Sequence, residues 1–322
     1  MRVLLFGHGS MGKRRVRNLR AIGEFNISCY ETNTERHTDS SIHFIDTEEI
    51  STEIKEADFV VVSTPPDRHS EYVKLAMANA KPVFVEASVL LEEVKPLLEL
   101  SNNHLVYPSS TLYNHPAIKE ISEMVQSKRY GRTTNLSYHS GQYLPDWHPW
   151  EDIRDYYVSN PLTGAAREIL PFELTWMTKI FGDILDIKGI FEKTSDLSVN
   201  IDDTYCCAIK FENNVLCSLL IDVTSRAATR RLILNFEEAQ LRWDWNNDYF
   251  EIYSAEKSNW DKRYFKLNKE SAKGYDPSIV EEMYISELKK FLGHYFIGLE
   301  RQNTLQDDIR VLEALNKLEN NE

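Results

Sequence analysis

Three glycines near the amino terminus have the spacing of a turn that holds phosphate groups. Gly7, Gly9 and Gly12 follow the apolar run 3–6, which predicts a buried strand leading into a helix. Glycine allows a tight turn and a close approach of the backbone to a pyrophosphate, and the free N–H groups at the start of the helix attract its negative charge. The sequence therefore predicts a dinucleotide site. Its expected residues at this turn are Gly7, Gly9, Ser10, Met11, Gly12 and Arg14.

An acidic side chain follows this turn at the offset that such a site requires. Glu31 stands 19 residues after Gly12, at the end of the strand-like run 27–30. A carboxylate there binds both ribose hydroxyls of an adenosine and repels a 2′-phosphate. We therefore predict NAD as the cofactor. NADP is the less favoured alternative, which Arg36 keeps open because it lies close to Glu31 in the sequence.

The helix after the glycines is unusually basic. Cations in the first turn of a helix oppose its dipole, and a bound phosphate would account for Lys13 and Arg14. A solvated face accounts equally well for Arg17 and Arg20. The whole chain has a formal charge of −13 and no second basic cluster of this density, so we expect no nucleic-acid partner.

A polar and aromatic segment at 139–154 is rich in groups that exchange protons. Its prolines, glycine, tryptophans and charges make a core strand improbable, so we predict an ordered loop. His148 is the first candidate for an acid or base, because the ordinary pKa of histidine is close to working pH. Tyr143 is the second candidate. Ordering of the loop by His148 and packing by Tyr143 are the alternatives.

Carboxylates in the predicted helix 165–181 are a third source of an acid. Burial would raise the pKa of Glu168 or Glu173, and we take Glu168 as the candidate. A simple ion pair between Glu168 and Arg167 is the alternative. Arg154 and Arg167 are also candidates to hold a substrate carboxylate or phosphate, with surface pairing as the alternative for Arg154.

The first third of the chain alternates strands with helices, which predicts a doubly wound parallel sheet. The strand at 59–63 is apolar on both faces, as a central parallel strand should be. It ends in Ser63-Thr64-Pro65-Pro66, at the carboxyl edge where ligands bind to such sheets. The predicted strands are 2–6, 26–30, 42–45, 59–63, 82–86 and 104–107, and the predicted helices are 11–22, 67–80 and 91–101.

After residue 130 the pattern changes to alternating segments with few helices between them, which predicts a mostly antiparallel sheet. We thus expect an α/β Rossmann domain at 1–115, which binds the cofactor. An α+β domain with a large open-faced sheet is expected at 116–322, for substrate binding and oligomerisation. The later predicted strands are 133–141, 184–194, 203–212, 215–223, 229–236, 249–254 and 262–267, and the later predicted helices are 165–181, 279–297 and 304–319.

The composition indicates a globular chain that works in a reducing compartment. At 322 residues with 42% hydrophobic content, it is long enough for two cores and has no apolar run of membrane length. The first residues already form a predicted strand, so we expect no signal peptide and a cytoplasmic location. The four cysteines lack metal-ligand spacing, so we expect no metal site.

Five segments carry the signatures of one protein family. They are 7–14 (Gly-His-Gly-Ser-Met-Gly-Lys-Arg), 57–69 (Ala-Asp through Ser-Thr-Pro-Pro to His), 81–86 (Lys-Pro-Val-Phe-Val-Glu), 116–131 and 164–182. Together they resemble the Gfo/Idh/MocA family of NAD(P)-dependent oxidoreductases over nearly the whole chain. The resemblance implies a cytosolic enzyme that acts on sugars, sugar derivatives or nucleotide-linked sugars. It also implies a homodimer or homotetramer built through the open face of the large sheet.

The resemblance also assigns residues to the nicotinamide half of the cofactor. It places His69 near the nicotinamide ribose and Glu86 beside the nicotinamide, with Thr64 and Pro65 in the second signature. It further implies that the segment at 139–154 faces the nicotinamide, as a similar loop does in sugar-processing members.

Three positions depart from the family pattern. The usual Glu-Lys-Pro reads Glu86-Ala87-Ser88, and the usual His and Asp of the central helix are Phe172 and Thr175. Alanine and phenylalanine carry no exchangeable proton on their side chains, and threonine is far too weak an acid to replace aspartate. The resemblance thus supports cofactor binding more firmly than the family's usual proton transfer.

Three functions are compatible with these residues. The first is an NAD-dependent oxidoreductase that acts on a sugar hydroxyl or ketone, with His148, Tyr143 or Glu168 exchanging the proton. The second is a non-catalytic NAD-binding regulator or partner protein, which the lost family groups favour. The third is an epimerase or lyase that recycles its NAD, and it would turn over without added nicotinamide.

Overall fold

The computed structural model describes residues 1–266 and 280–320, and the chain forms two compact units. Unit 1 comprises Met1–Thr111 and Tyr284–Ile309, and unit 2 comprises Leu112–Met283 and Arg310–Glu322. The expected linear division into 1–115 and 116–322 did not include the return of 284–309 to the first unit. The assignment of cofactor binding to the first part and substrate binding to the second stays a prediction.

Unit 1 contains a six-stranded parallel sheet in the order β3-β2-β1-β4-β5-β6, which is the order of a doubly wound dinucleotide-binding sheet. The predicted fold class is therefore confirmed for this unit. The elements are β1 Arg2–Phe6, α1 Ser10–Ile22, β2 Asn26–Tyr30, β3 His43–Ile45, α2 Ile50–Glu56, β4 Phe59–Val62, α3 His69–Ala78, β5 Val83–Val85, α4 Leu91–Val94 and β6 Val106–Pro108.

The core of unit 1 lies on both faces of this sheet. Every residue of β4 is buried, because crossover helices cover a parallel sheet on both sides. Val16 and Leu19 of α1 pack in the same cluster as Phe59, and the returning segment adds Leu288 and Phe291. Burial of these side chains fixes the carboxyl ends of the strands, where the predicted cofactor residues lie.

The predicted helix at 91–101 is shorter in the structure. After Val94 the chain continues as a 3-10 helix, Lys95–Glu99. Pro96 lacks a backbone N–H, so the α-helical hydrogen-bond pattern is not continued through it.

Unit 2 contains an eight-stranded sheet in the order β14-β13-β12-β11-β7-β10-β9-β8. Among the described strand pairs of this sheet, only β7–β10 is parallel, so the predicted mostly antiparallel sheet is confirmed. Residues 267 and 279, at the ends of two predicted elements, lie outside the described residues. The elements are α5 Pro116–Gln126, β7 Thr133–Tyr143, α6 Ala165–Phe181, β8 Ile184–Glu192, β9 Thr204–Phe211, β10 Leu216–Asp222, β11 Thr224–Phe236, β12 Ala239–Asp244, β13 Tyr249–Ser254, β14 Asn259–Tyr264, α7 Glu281–Ile297 and α8 Leu305–Glu319.

The prediction of a loop over all of 139–154 was wrong for its first five residues. Strand β7 continues to Tyr143, because β10 pairs with it as far as Gly141 and β11 pairs with Tyr143 itself. Pairing on both sides satisfies the backbone N–H and C=O groups of β7, so the strand forms although many of its side chains are polar. A 3-10 helix, Leu144–Asp146, then begins the irregular segment.

Candidate active site

The glycine turn after β1 has the geometry that a bound pyrophosphate needs. Gly7 has φ +90°, and a Cβ at Gly12 would lie 2.1 Å from the Gly7 carbonyl oxygen, so neither position accepts a side chain. Gly9 caps α1 without a side-chain hydrogen bond, and the first turn of α1 holds no acidic residue. The N–H groups that begin α1 therefore face no protein carboxylate of their own turn, and the turn fits a dinucleotide.

The Glu31 carboxylate lies directly beside this turn. It accepts hydrogen bonds from the backbone N–H of His8 at 2.7 Å and of Asn33 at 2.9 Å. The Glu31 side chain is only 7% exposed, and the Arg36 guanidinium lies 3.8 Å from it. The carboxylate is held in place and has lone pairs left for ribose hydroxyls. Arg36 is close enough to offset its charge, so the structure keeps the question of NADP open at this position.

Basic residues of α1 have different environments. Arg14 is buried, and its guanidinium lies 4.5 Å from the centre of the Tyr284 ring. Arg20 pairs with Asp39 at 2.8 Å near the surface. Contact of Arg14 with a phosphate stays a prediction.

The carboxyl ends of β4 and β5 bring the other predicted cofactor residues together. Burial lowers the pKa of His69, so the ring is neutral, and its Nε2–H donates to the Thr64 carbonyl oxygen at 2.9 Å. Pro65 follows Thr64 directly and leads into the helix that carries His69. The Ser63 hydroxyl donates to Glu86 at 3.2 Å, which links this turn to the end of β5.

A buried charge network surrounds Glu86 and was not predicted from the sequence. Arg15 is fully buried and donates to both Glu86 oxygens at 2.6 and 2.8 Å, and also to Glu287 at 3.0 Å. Glu287 in turn accepts the hydroxyl protons of Ser109 and Thr111. The sequence contained a feature that could have predicted this network. Glu287 lies three residues after Tyr284 and places a carboxylate in the apolar stripe of α7. Glu86 is thus anchored by a cation within unit 1.

In unit 2, the altered positions of the central helix carry no acid. Phe172 is half-buried, and the Thr175 hydroxyl donates to the Pro171 carbonyl oxygen at 2.8 Å. The nearest ionisable group on the helix, Glu173, is fully buried. It accepts hydrogen bonds from Tyr138, Trp176 and Arg230 at 2.8–2.9 Å. This bonding is typical of a structural carboxylate.

His148 lies in an aromatic group of the irregular segment. Its ring stacks on Trp150 and Tyr156, with ring centres 5.1 and 4.8 Å away. Its Nδ1 lies 3.2 Å from a Glu151 oxygen, and the side chain is 18% exposed. A histidine whose Nδ1–H donates to a carboxylate presents Nε2 as a base, so the geometry allows the predicted role.

The other two catalytic candidates have partners as well. Glu168 accepts from the Tyr157 hydroxyl at 3.0 and 3.2 Å. Arg167 donates two hydrogen bonds of 2.8 and 2.9 Å to Glu319. The alternative pairing of Glu168 with Arg167 stays a prediction. The face of the Tyr143 ring lies 3.7 Å from the Arg226 guanidinium carbon.

Arg154 forms a surface ion pair, which was the alternative to binding a substrate carboxylate or phosphate. Its guanidinium donates to both oxygens of Asp152 at 2.9 and 2.6 Å. Both arginines predicted to hold a substrate anion are therefore already engaged with protein carboxylates.

The described residues contain neither a metal-binding cluster nor a membrane-spanning helix. No group of three or more His, Cys, Asp or Glu side chains in 1–266 and 280–320 is placed to hold a metal ion. Within the same ranges, no helix is long and apolar enough to cross a membrane.

Comparison with known families agrees with this geometry. Residues 1–106 match the family model described as "Oxidoreductase family, NAD-binding Rossmann fold", and residues 118–242 match the "GFO/IDH/MocA C-terminal domain". The chain belongs to the Gfo/Idh/MocA oxidoreductase family. The predicted family and the predicted NAD-binding Rossmann fold are thereby confirmed.

Solved structures of Gfo/Idh/MocA type share the fold over almost the whole chain. An Agrobacterium radiobacter oxidoreductase, solved with NAD+, L-tartaric acid and magnesium, has a TM-score of 0.82 at 10% identity and covers 99% of this chain and 95% of its own. A levoglucosan dehydrogenase solved with NADH has a TM-score of 0.81 at 15% identity, with 98% and 96% covered. A UDP-N-acetylglucosamine 3-dehydrogenase from Acidithiobacillus ferrooxidans has a TM-score of 0.75 at 16% identity, with 99% and 96% covered.

A curated relative of this Gfo/Idh/MocA chain is similar over a shorter region. The glycosyl hydrolase family 109 protein of Streptomyces niveus is 28% identical over 153 residues, which is 46% of this chain. The chain spans only 28% of the length of that relative.

Proposed function

We propose that the protein is an NAD-dependent oxidoreductase that transfers hydride between NAD and a hydroxyl or ketone carbon of a sugar, sugar acid or nucleotide sugar. The glycine turn with Glu31 at its side carries this proposal, because Gly7 and Gly12 accept no side chain, as a tight pyrophosphate-binding turn requires, and the carboxylate suits an adenosine ribose. Sugar dehydrogenases among proteins of the same fold support the substrate class. The residues proposed to bind NAD are those predicted from the sequence, which are Gly7, Gly9, Ser10, Met11, Gly12, Arg14, Glu31, Thr64, Pro65, His69 and Glu86.

Bound NAD would supply the hydride acceptor. The chain must supply a group that takes the hydroxyl proton as the alcohol is oxidised. His148 is the preferred base, because Glu151 orients its Nδ1 and would stabilise the imidazolium that forms. Aromatic rings beside it, including the exposed Trp150, suit the apolar face of a sugar. Tyr143 and Glu168 are the other candidates for this step.

The experiment is a search for NADH formation. The purified protein is incubated with NAD and a panel of sugars, sugar acids and nucleotide sugars, and NADH absorbance is followed. With the best substrate, His148→Gln should lower kcat by about a hundredfold, which is typical for loss of a general base. His104→Gln, at an exposed position in unit 1, is the control and should leave kcat unchanged. Equal kcat in both variants would remove His148 from the reaction.

A second function is favoured by the curated relative, whose name describes a glycosyl hydrolase. Hydrolysis involves no net redox change, so a nicotinamide used in such a reaction would be oxidised and reduced within one turnover. Such a reaction would recycle its NAD, as in the epimerase or lyase alternative. Product formation without accumulation of NADH would favour it over the dehydrogenase. If neither reaction occurs and NAD still binds, the protein would be the regulator that the lost family groups suggest.

A further inference from the structure

Strand β11 begins with a bulge beside a candidate site residue. Thr224 pairs with Tyr143 and Thr229 pairs with Gly141, so residues 225–228 stand opposite Gln142 alone. A bulge of this kind disrupts the ladder locally and re-aims the side chains it carries, and bulges are common next to active sites. The side chain re-aimed here is that of Arg226.

Asp222 holds this bulge in one conformation. Its carboxylate accepts the backbone N–H groups of Thr224 and Ser225 at 3.0 and 2.7 Å and both of their hydroxyls at 3.1 and 3.0 Å. His139 Nε2 lies 2.6 Å from the same carboxylate. Burial alone would raise the pKa of Asp222, but these hydrogen bonds lower it to about 2. The carboxylate is thus ionised, and its lone pairs are engaged by groups other than Arg226.

Close packing under the bulge explains why a glycine lies there. A Cβ at Gly141 would stand 2.4 Å from the Ser225 hydroxyl oxygen and 2.7 Å from an Asp222 oxygen. Because Gly141 has no side chain, the Asp222 hydrogen bonds can form directly against the backbone of β7. The base of the bulge is therefore rigid, although Arg226 itself is exposed.

Arg226 stacks its guanidinium on an aromatic ring and meets no carboxylate of the described ranges 1–266 and 280–320. Its guanidinium carbon lies 3.7 Å from the centre of the Tyr143 ring. Within 1–266 and 280–320, the structure shows no hydrogen bond or ion pair from this side chain. Stacking occupies a face of the guanidinium and leaves its N–H edge available, and that edge matches two oxygens of a carboxylate or phosphate.

We propose that Arg226, stacked on Tyr143, binds an anionic group of the substrate. This inference rests on the proposed function, because it takes Tyr143 as part of the substrate site. It narrows the substrate class from sugars in general to sugars with a carboxylate or a phosphate, such as sugar acids or nucleotide sugars. Arg154 and Arg167, the earlier candidates for this role, are bound to Asp152 and Glu319.

The test is a calorimetric titration of the NAD-loaded protein with three probes: inorganic phosphate, D-glucuronate and D-glucose. Loading with NAD prevents the probes from binding at the glycine turn. At least one anion should bind more tightly than D-glucose, and which of the two does so identifies phosphate or carboxylate as the recognised group. Arg226→Gln should weaken that binding by about tenfold or more, as expected for loss of a charged hydrogen-bonding partner.

Arg129→Gln is the matched control. Arg129 is also exposed, lies in unit 2 and stacks on a tyrosine, Tyr130, at 5.5 Å. The Arg129→Gln variant should bind both anions as tightly as the unaltered protein does. The Arg226→Lys variant retains the positive charge but lacks the planar guanidinium edge. Its anion affinity should therefore lie between those of Arg226→Gln and Arg129→Gln. Equal anion affinity in the two Gln variants, or no preference for either anion over D-glucose, would overturn the proposal.

Failure of the proposed function would be seen separately. NAD binding is measured first by itself, and its absence would count against the oxidoreductase rather than against Arg226. In that case the anion titrations are made on the protein without NAD. Anion binding that is the same in all variants then belongs to sites other than Arg226. The difference between Arg226→Gln and Arg129→Gln decides the inference in either case.

Discussion

Glu31 is the side chain that we predict to select between NAD and NADP. Its carboxylate is fixed by two backbone N–H groups of its own unit, so it needs little reorganisation to bind ribose hydroxyls. A 2′-phosphate in the same place would meet a negative charge, although Arg36 at 3.8 Å weakens that repulsion. We therefore expect the choice between NAD and NADP to depend on the balance between the charges of Glu31 and Arg36.

Substitution of Glu31 should change cofactor affinity in a defined direction. In Glu31→Gln we expect the Kd for NAD to rise about tenfold, because a charged acceptor of hydroxyl protons is lost. The Kd for NADP should rise less or fall, because the repulsion is removed. Titration of each cofactor, followed by protein fluorescence, measures both values.

Glu35→Gln is the control for this measurement. Glu35 is an exposed acid four residues away in the same loop, and its loss should leave both constants unchanged. Tighter binding of NADP than of NAD by the unaltered protein would show that Arg36, and not Glu31, determines the choice.

At the scale of elements, the junction of β7, β10 and β11 depends on one carboxylate. Asp222 ends β10, and its hydrogen bonds shape the first residues of β11. The low pKa of Asp222 means that the folded state prefers its ionised form. An acid whose pKa falls on folding adds stability above its unfolded pKa, and that stability is lost as pH falls towards the folded pKa.

The contribution of Asp222 to stability should therefore depend on pH. At pH 7 we expect Asp222→Asn to lower the free energy of unfolding by about 1–3 kcal/mol, because charged hydrogen bonds are replaced by weaker ones. The difference between the two proteins should shrink as pH falls from the ordinary value of 3.8 to about 2. Urea unfolding at a series of pH values measures it. A difference that is constant over this range would assign the effect to packing.

At the scale of the whole molecule, the chain returns to unit 1 after building unit 2. The returning segment brings Glu287 to a fully buried position where it shares Arg15 with Glu86. Burial raises the pKa of Glu287, and the Arg15 charge opposes this rise. One cation thus holds together an early helix, the end of β5 and a segment almost three hundred residues along the chain.

Removal of this cation should destabilise the fold strongly. Arg15→Met leaves the fully buried Glu287 and the partly buried Glu86 without their partner, and we expect the free energy of unfolding to fall by about 3–5 kcal/mol. Adding Glu86→Gln and Glu287→Gln should restore part of the loss, because the uncompensated charges are then removed. Denaturant unfolding measures each variant.

Arg20→Met serves as the comparison on the same helix. Arg20 pairs with Asp39 near the surface, and an exposed pair contributes about 0–1 kcal/mol. If Arg15→Met costs no more than Arg20→Met, the buried network does not hold unit 1 together.

The sequence by itself determined the parallel sheet, the glycine turn, the position of Glu31 and most element boundaries. These features depend on local spacing: apolar runs, glycines at fixed offsets and helical periodicity are all visible along the chain. The family resemblance in the sequence also implies that Ala87, Phe172 and Thr175 stand at the positions of the family's usual proton-transfer groups.

Only the tertiary structure decided which charges meet. Arg167 binds Glu319, Arg15 joins Glu86 to Glu287, and a bulge of β11 places Arg226 on Tyr143. Each of these partners lies tens to hundreds of residues away, and strand register and a returning helix bring them together. Local propensity carries no information about such distant pairing, because burial and register are properties of the assembled sheets.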